Sequence, residues 1–319
     1  MRQRLICSVM FVAAVMPAFG TSFSLSTNDS NFGMIGGTIS NTGGPPGGSY
    51  VVGNVGATTT ITGFVTVDGG PGSASGFVCT EGGAAPCTGT QDSTVGPGYS
   101  AFLADYNTAL NLAPNGTSSS GVINTGSTFS GVENQNFLGS SGNNVFASAG
   151  DVSTLAGITL TFDAQNQSGV VFVIQIDGAL TVNTAITFNL LNGALASNIY
   201  WIIGGTDGTL AAGPGNATIS PVGATPLTWD GNILAVDPTN SGGTFTMSAR
   251  TGGSGVLAGT INGCVFTDAA NTLAGITDVN GCFATGSESP EPGSAALVGL
   301  GGLLGAGLLS IRARRKFRV

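Results

Sequence analysis

Seven short runs of β-branched and aromatic residues, each bounded by glycine-rich turns, constrain this chain more than any other feature. They fall at 60–67, 157–162, 170–176, 180–190, 199–203, 231–236 and 244–247. Each suits a strand and none has the period of a helix. In Ile158-Thr159-Leu160-Thr161-Phe162 the three apolar side chains share one face and the two threonines point the other way. Many short strands joined by short turns lead to a sandwich, a barrel or a β-solenoid. The reading favoured is a solenoid, and the absence of a strict repeat makes its coils irregular. The 54 glycines would permit a disordered linker, but 41% hydrophobic residues supply a core that such linkers lack.

One stretch departs from the strand pattern. Over 99–113, Phe102, Leu103, Tyr106, Ala109, Leu110 and Ala113 recur at the spacing of one amphipathic helical face. Pro97 precedes it and Pro114-Asn115-Gly116 closes it. A helix is expected here, packed along the β core.

Both ends of the chain carry targeting features. Arg2 and Arg4 precede an apolar stretch at 5–15, and Ala18-Phe19-Gly20 offers a small-x-small cleavage site, so residues 1–20 form a signal peptide. At the other end Pro290-Glu291-Pro292 is followed by an apolar run at 295–311 and a basic tail. Seventeen residues of helix reach about 25 Å, barely enough for a hydrocarbon core of about 30 Å. The order of these parts over 288–319 resembles the C-terminal sorting signal of exported bacterial proteins processed by an exosortase. That resemblance implies an exported chain, anchored in the membrane through its C-terminus and then released to the cell surface or medium. Residues 21–287 are the expected mature domain.

Six of the seven arginines and the only lysine lie in the two terminal segments, leaving Arg250 as the one basic side chain of residues 21–287. Fourteen of the sixteen acids stay there, and 1 minus 14 is a net charge of −13. Phosphate binding depends on Lys and Arg, so nucleic acid is excluded as a partner. The cysteines of this region, Cys79, Cys87, Cys264 and Cys282, are even in number and suit an oxidising compartment. Three connectivities are open to them, with Cys79–Cys87 and Cys264–Cys282 the short-range choice. Without histidine or a close Cys-x-x-Cys pair no metal site is expected, and no Ser-His-Asp or Cys-His system can be assembled. Asp151, Asp163, Asp177 and Asp207 could supply an acid and a base for polysaccharide chemistry, the least favoured reading. No cofactor is implied.

Widely spread blocks resemble the microbial ice-binding-like, or antifreeze-like, family. Phe32 with Gly36-Gly37-Thr38 and Asn41-Thr42-Gly43 is similar to its opening strand, and Gly53-Asn54-Val55-Gly56 with Thr62-Gly63-Phe64 to its next coil. Asp105-Tyr106-Asn107 sits within the stretch where the family has its long helix. Leu160-Thr161-Phe162-Asp163-Ala164, Asn189-Leu190-Leu191-Asn192-Gly193, Asn198-Ile199-Tyr200-Trp201 and Gly231-Asn232-Ile233-Leu234-Ala235 follow in order. The resemblance implies a mainly β fold: an irregular right-handed β-solenoid of triangular section with one long helix packed alongside. It also implies a non-enzymatic protein whose partner is ice or ordered water.

Ice adsorption needs a flat, rigid, uncharged surface of hydroxyl and methyl groups. Alternate residues along a strand lie about 6.6 Å apart and neighbouring strands about 4.8 Å apart, so outward threonines form a regular array. The candidate outward pairs are Thr60 and Thr62, Thr159 and Thr161, and Thr244 and Thr246. Family ice-binding faces carry Thr-(Ala or Gly)-x-(Thr or Asn), which adds Thr125 with Thr128 and Thr184 with Thr187. A contiguous uncharged Thr/Ser/Ala plane would favour ice. A plane broken by Asp, Asn or bulky groups would favour a structural surface or biofilm-matrix protein, with exopolysaccharide as a further partner.

Overall fold

The computed structural model describes residues 22–42, 48–64, 73–81, 92–118, 135–148, 150–154, 157–183, 185–205, 215–221, 225–237, 242–250 and 257–282. All belong to one compact unit, residues 1–284. The signal peptide 1–20, the sorting signal 288–319 with its apolar run 295–311, Cys87, Thr125, Thr128 and Thr184 lie outside the described residues. Among those described, no helix is long and apolar enough to cross a membrane.

The chain opens with β1 (Phe32–Asn41), β2 (Tyr50–Val51), β3 (Asn54–Thr62) and β4 (Val78–Thr80), followed by the helix α1 (Asp92–Leu110). β5 (Thr117–Ser118) and β6 (Gln135–Leu138) lead into the first regular coil, β7 (Gly142–Ser148), β8 (Val152–Thr154) and β9 (Ile158–Asp163). The second coil is β10 (Val170–Ile176), β11 (Leu180–Val182) and β12 (Ile186–Leu191), and the third β13 (Ile199–Ile203), β14 (Asn216–Ile219) and β15 (Leu227–Asp230). The fourth is β16 (Asn232–Ala235), β17 (Thr244–Met247) and β18 (Leu257–Asn262), and the last β19 (Val265–Thr267), β20 (Ala270–Leu273) and β21 (Ile276–Val279). Each coil contributes one strand to each of three faces, and successive coils pair in parallel. The fold is therefore a mainly β solenoid of three faces with, among the described residues, a single α-helix beside it.

The stack is not in chain order. β1 pairs with β19 through its first half and with β20 through its second, so the N-terminal strand seats on the C-terminal coil and β3 stacks outside it. Phe137 of β6 lies at the opposite end, paired with Phe162 of β9. The chain must therefore travel the length of the stack between β4 and β6, and α1 does so. From β4 to β7 the first face stacks eight strands, about 34 Å at about 4.8 Å per spacing, and the nineteen helical residues of α1 cover about 28 Å of it.

Val95, Phe102, Tyr106 and Ala109 of α1 are buried against Ile35, Val145, Val171, Val173, Ile202, Leu234 and Phe266 of the first face. With the interior on one side and α1 on the other, all seven residues of β10 are buried, the continuous apolar run of a parallel strand covered on both faces. The helix starts at Asp92 rather than Tyr99, with Pro97 inside it and not before it. A β-carbon on Gly98 would come within 2.7 Å of the Phe32 ring, so that turn needs glycine to lie on β1. It ends at Leu110, not Ala113, because the Gln175 Nε2 amide on β10 donates to the carbonyls of Ala109, Leu110 and Leu112 at 2.9, 3.1 and 3.0 Å.

The interior is filled by rings. Phe137 stacks on Phe162 at 4.6 Å, Phe162 lies parallel to Phe188, and Trp201 meets Trp229 at 4.8 Å. Both tryptophans are core residues, and Trp201 Nε1 donates to the Asp230 carbonyl at 3.0 Å. Two strand expectations shift. The run expected at 60–67 is a strand over Asn54–Thr62, and 180–190 divides into β11 and β12 about a vertex.

Candidate ice-binding face

The second face, formed by β8, β11, β14, β17, β20 and the later halves of β1 and β3, has neither helix nor loop described over it. Its strands are two-sided. Phe245 and Met247 of β17 point inward, Thr244 and Thr246 outward, and β14 repeats the pattern with Ala217 and Ile219 in, Asn216 and Thr218 out. The burial of the alternate apolar residue fixes the register, because a slip of one residue would turn every hydroxyl into the core.

That register aligns the outward side chains into rows. Ser153 pairs with Thr181, Thr181 with Thr218, Thr218 with Thr246, Thr246 with Thr272, Thr272 with Ser40, and Ser40 with Thr62. Seven consecutive strands thus present a hydroxyl at the same level. A second row runs Asn216, Thr244, Ala270, Thr38 and Thr60. A third follows the strand ends through Asn183, Ser220, Ser248, Ala274 and Thr42, tied by backbone bonds from Ser220 N to Val182 O at 2.7 Å and Ser248 N to Ile219 O at 2.9 Å. At the usual sheet spacings the central row is about 29 Å long and the three rows about 13 Å wide.

Some hydroxyls are held in place across strands: Thr244 Oγ1 donates to Asn216 Oδ1 at 2.7 Å and Ser220 Oγ to Ser248 Oγ at 3.1 Å. No residue of the three rows is charged. Carboxylates border the plane along its vertex with the first face: Asp151, just before β8, accepts the Ala179 backbone N–H at 2.7 Å, and Asp268, between β19 and β20, accepts the Asp237 backbone N–H at 3.4 Å beside Gly243.

Thr60, Thr62, Thr244 and Thr246 therefore come together on this plane, from opposite ends of the sequence. Thr159, Thr161 and Thr187 do not. They lie on the third face, where Thr187 pairs with Thr159 and Asn189 with Thr161, which in turn pairs with Asn136. The third face is two separate four-stranded sheets, and Asp163, Asp230 and Asp278 sit in it. Burial raises the Asp230 and Asp278 carboxyls above the ordinary carboxylate range. Asp230 accepts from the Asn262 amide at 2.6 Å, and Asn262 from Asn280 at 2.7 Å, a polar chain running along the vertex.

Sequence reasoning missed Thr38, Ser40, Ser153, Thr181, Thr218 and Thr272. A local signal existed, a hydroxyl between two inward residues in each short strand. The steps along the central row from Ser153 to Thr181, Thr218, Thr246 and Thr272 are 28, 37, 28 and 26 residues, so no period aligns them.

Among the described residues, no group of His, Cys, Asp and Glu could hold a metal ion. The model of the ice-binding-like family matches residues 34–220, 187 of the 319. The chain belongs to the ice-binding-like family. Solved structures carry the same fold. An ice-binding protein from an Antarctic biological consortium is similar at 20% identity with a TM-score of 0.53, over 84% of this chain and 95% of that one. An ice-binding protein domain of Shewanella frigidimarina is similar at 19% with a TM-score of 0.52, over 81% and 97%. One from an Arctic yeast, described for its antifreeze activity, is similar at 15% with a TM-score of 0.52, over 82% and 96%. No curated protein sequence matches. At these identities the likeness is one of fold, and the plane of this ice-binding-like protein rests on its own side chains.

Proposed function

We propose that this is an exported, non-enzymatic protein that adsorbs to ice through its second face and limits crystal growth or recrystallisation. The observation that carries the reading is the uncharged row of seven hydroxyls, Ser153 to Thr62, in register across seven strands. Parallel strands stacked on a ring-filled core hold these groups at repeating distances, so their waters are ordered before ice arrives and little entropy is lost on contact. Charged groups would impose their own hydration geometry, and the rows have none. The Arctic yeast protein's antifreeze activity supports the reading by fold.

The test is thermal hysteresis together with ice-recrystallisation inhibition by the oxidised 21–287 domain. A folded domain inert in both assays would refute ice adsorption. A second reading, a structural surface or biofilm-matrix protein, is favoured by Asn216 and Asn183 in the two outer rows, and by Pro290-Glu291-Pro292 with the apolar and basic segments after it. On either reading residues 1–20 direct export, and 288–319 hold the chain in the membrane until an exosortase-type enzyme cleaves it. Exopolysaccharide is then a neighbour at the cell surface.

A further inference from the structure

We propose that Thr267 and Asn271 hold one water molecule inside the solenoid, at the corner where β1 crosses from the first face to the second. The site stands apart from the adsorption reading. Thr267 ends β19 and Asn271 lies in β20, on either side of that corner, and both side chains are fully buried. Asn271 Nδ2 donates to the Ile35 carbonyl at 2.7 Å, which fixes the orientation of the amide and turns Oδ1 the other way. Neither Asn271 Oδ1 nor Thr267 Oγ1 has a hydrogen-bond partner among the described residues.

The two side chains converge on one point. Measured from where a β-carbon on Gly36 would sit, the three nearest heavy atoms are all polar: Asn271 Nδ2 at 2.6 Å, Thr267 Oγ1 at 3.0 Å and the Thr38 carbonyl oxygen at 3.2 Å. Around them the interior is apolar. Asn271 is flanked in register by Phe245 and Ile39. Along the first face the inward residues run Ile176, Ile203, Ala235 and Thr267 in register, so the side chains shorten where the polar pair occurs. A buried acceptor without a partner forfeits the hydrogen bond it made to solvent in the unfolded chain. One water recovers it for both groups, donating to Oδ1 and sharing its second bond with Oγ1. The bridge ties β19 to β20 beside β1, whose later half carries Thr38 and Ser40 into the hydroxyl plane.

The described residues form one compact unit, so the oxidised 21–287 domain serves for the test. Its crystal structure at atomic resolution should show one water about 2.7–3.2 Å from both Thr267 Oγ1 and Asn271 Oδ1. Oxygen-17 relaxation dispersion counts long-lived internal waters. Its amplitude should fall by one water in Thr267→Val, which keeps the side-chain shape and deletes the hydroxyl. No density at that position, with or without a direct bond from Thr267 to Asn271, would overturn the proposal. So would a folded Thr267→Val protein with undiminished dispersion. If that variant fails to fold, the wild-type density decides alone.

Discussion

Replacing Thr246 by Tyr would place a ring at the middle of the central hydroxyl row, between Thr218 and Thr272 across strands and Thr244 and Ser248 along the chain. A ring lying on the plane adds one van der Waals layer, about 3.5–4 Å, whereas a gap of even 0.5–1 Å already forfeits a quarter to a half of a contact's attraction. The nearest neighbours, about 4.8 Å away across the sheet, therefore lose contact with a flat crystal front entirely. Because both surfaces are rigid, the stand-off extends beyond them. The concentration needed for half-maximal recrystallisation inhibition should rise at least tenfold, equivalent to about 1.4 kcal/mol. The fold should not suffer: Thr246 is outward, and surface substitutions change stability by about 0.5 kcal/mol or less. Thr187→Tyr, on the third face, controls for added aromatic surface and should leave inhibition unchanged. A folded Thr246→Tyr protein with full activity, beside an inactive Thr187→Tyr, would move the site to the third face and refute the reasoning from register and charge.

Three further outcomes follow from the packing. Asp29 is fully buried, and burial together with the adjacent Asp105 pushes its carboxyl up to about 7. Because the folded state holds this proton more tightly than the unfolded chain, stability is fullest below the ordinary value of 3.8 and falls as pH rises towards 7. Denaturant midpoints should trace that fall, and Asp29→Asn should flatten it and raise the midpoint at pH 8. Cys282→Ser opens a disulfide between residues 18 apart, so urea unfolding under oxidising conditions should show a loss of about 3 kcal/mol. Phe162→Ala removes a buried ring that stacks on Phe137 and lies parallel to Phe188, and calorimetry should register a loss of about 3–5 kcal/mol.

The sequence by itself determined the strand content and much of its placement. β10, β13 and β17 are read within a residue because their apolar and β-branched runs end in turn residues, and alternation alone separates the inward Phe245 and Met247 from the outward Thr244 and Thr246. It also made the helix legible from Phe102, Tyr106 and Ala109, though not its start. A proline and two glycines discourage a helix locally, and only the close seat of Gly98 on Phe32 shows why that turn is tolerated. What the tertiary structure decided was the order of the stack. β1 and β3 close the end of the solenoid beside β19 and β20, more than 200 residues away in the chain, by pairings that no local pattern encodes. The plane depends on that order. Thr62 and Ser40 complete a row begun by Ser153, and the vertices between these strands vary in length, so hydroxyls that share one level have no common spacing in sequence. Local alternation decides which side of a strand a threonine takes; only the stacking of strands decides its neighbours.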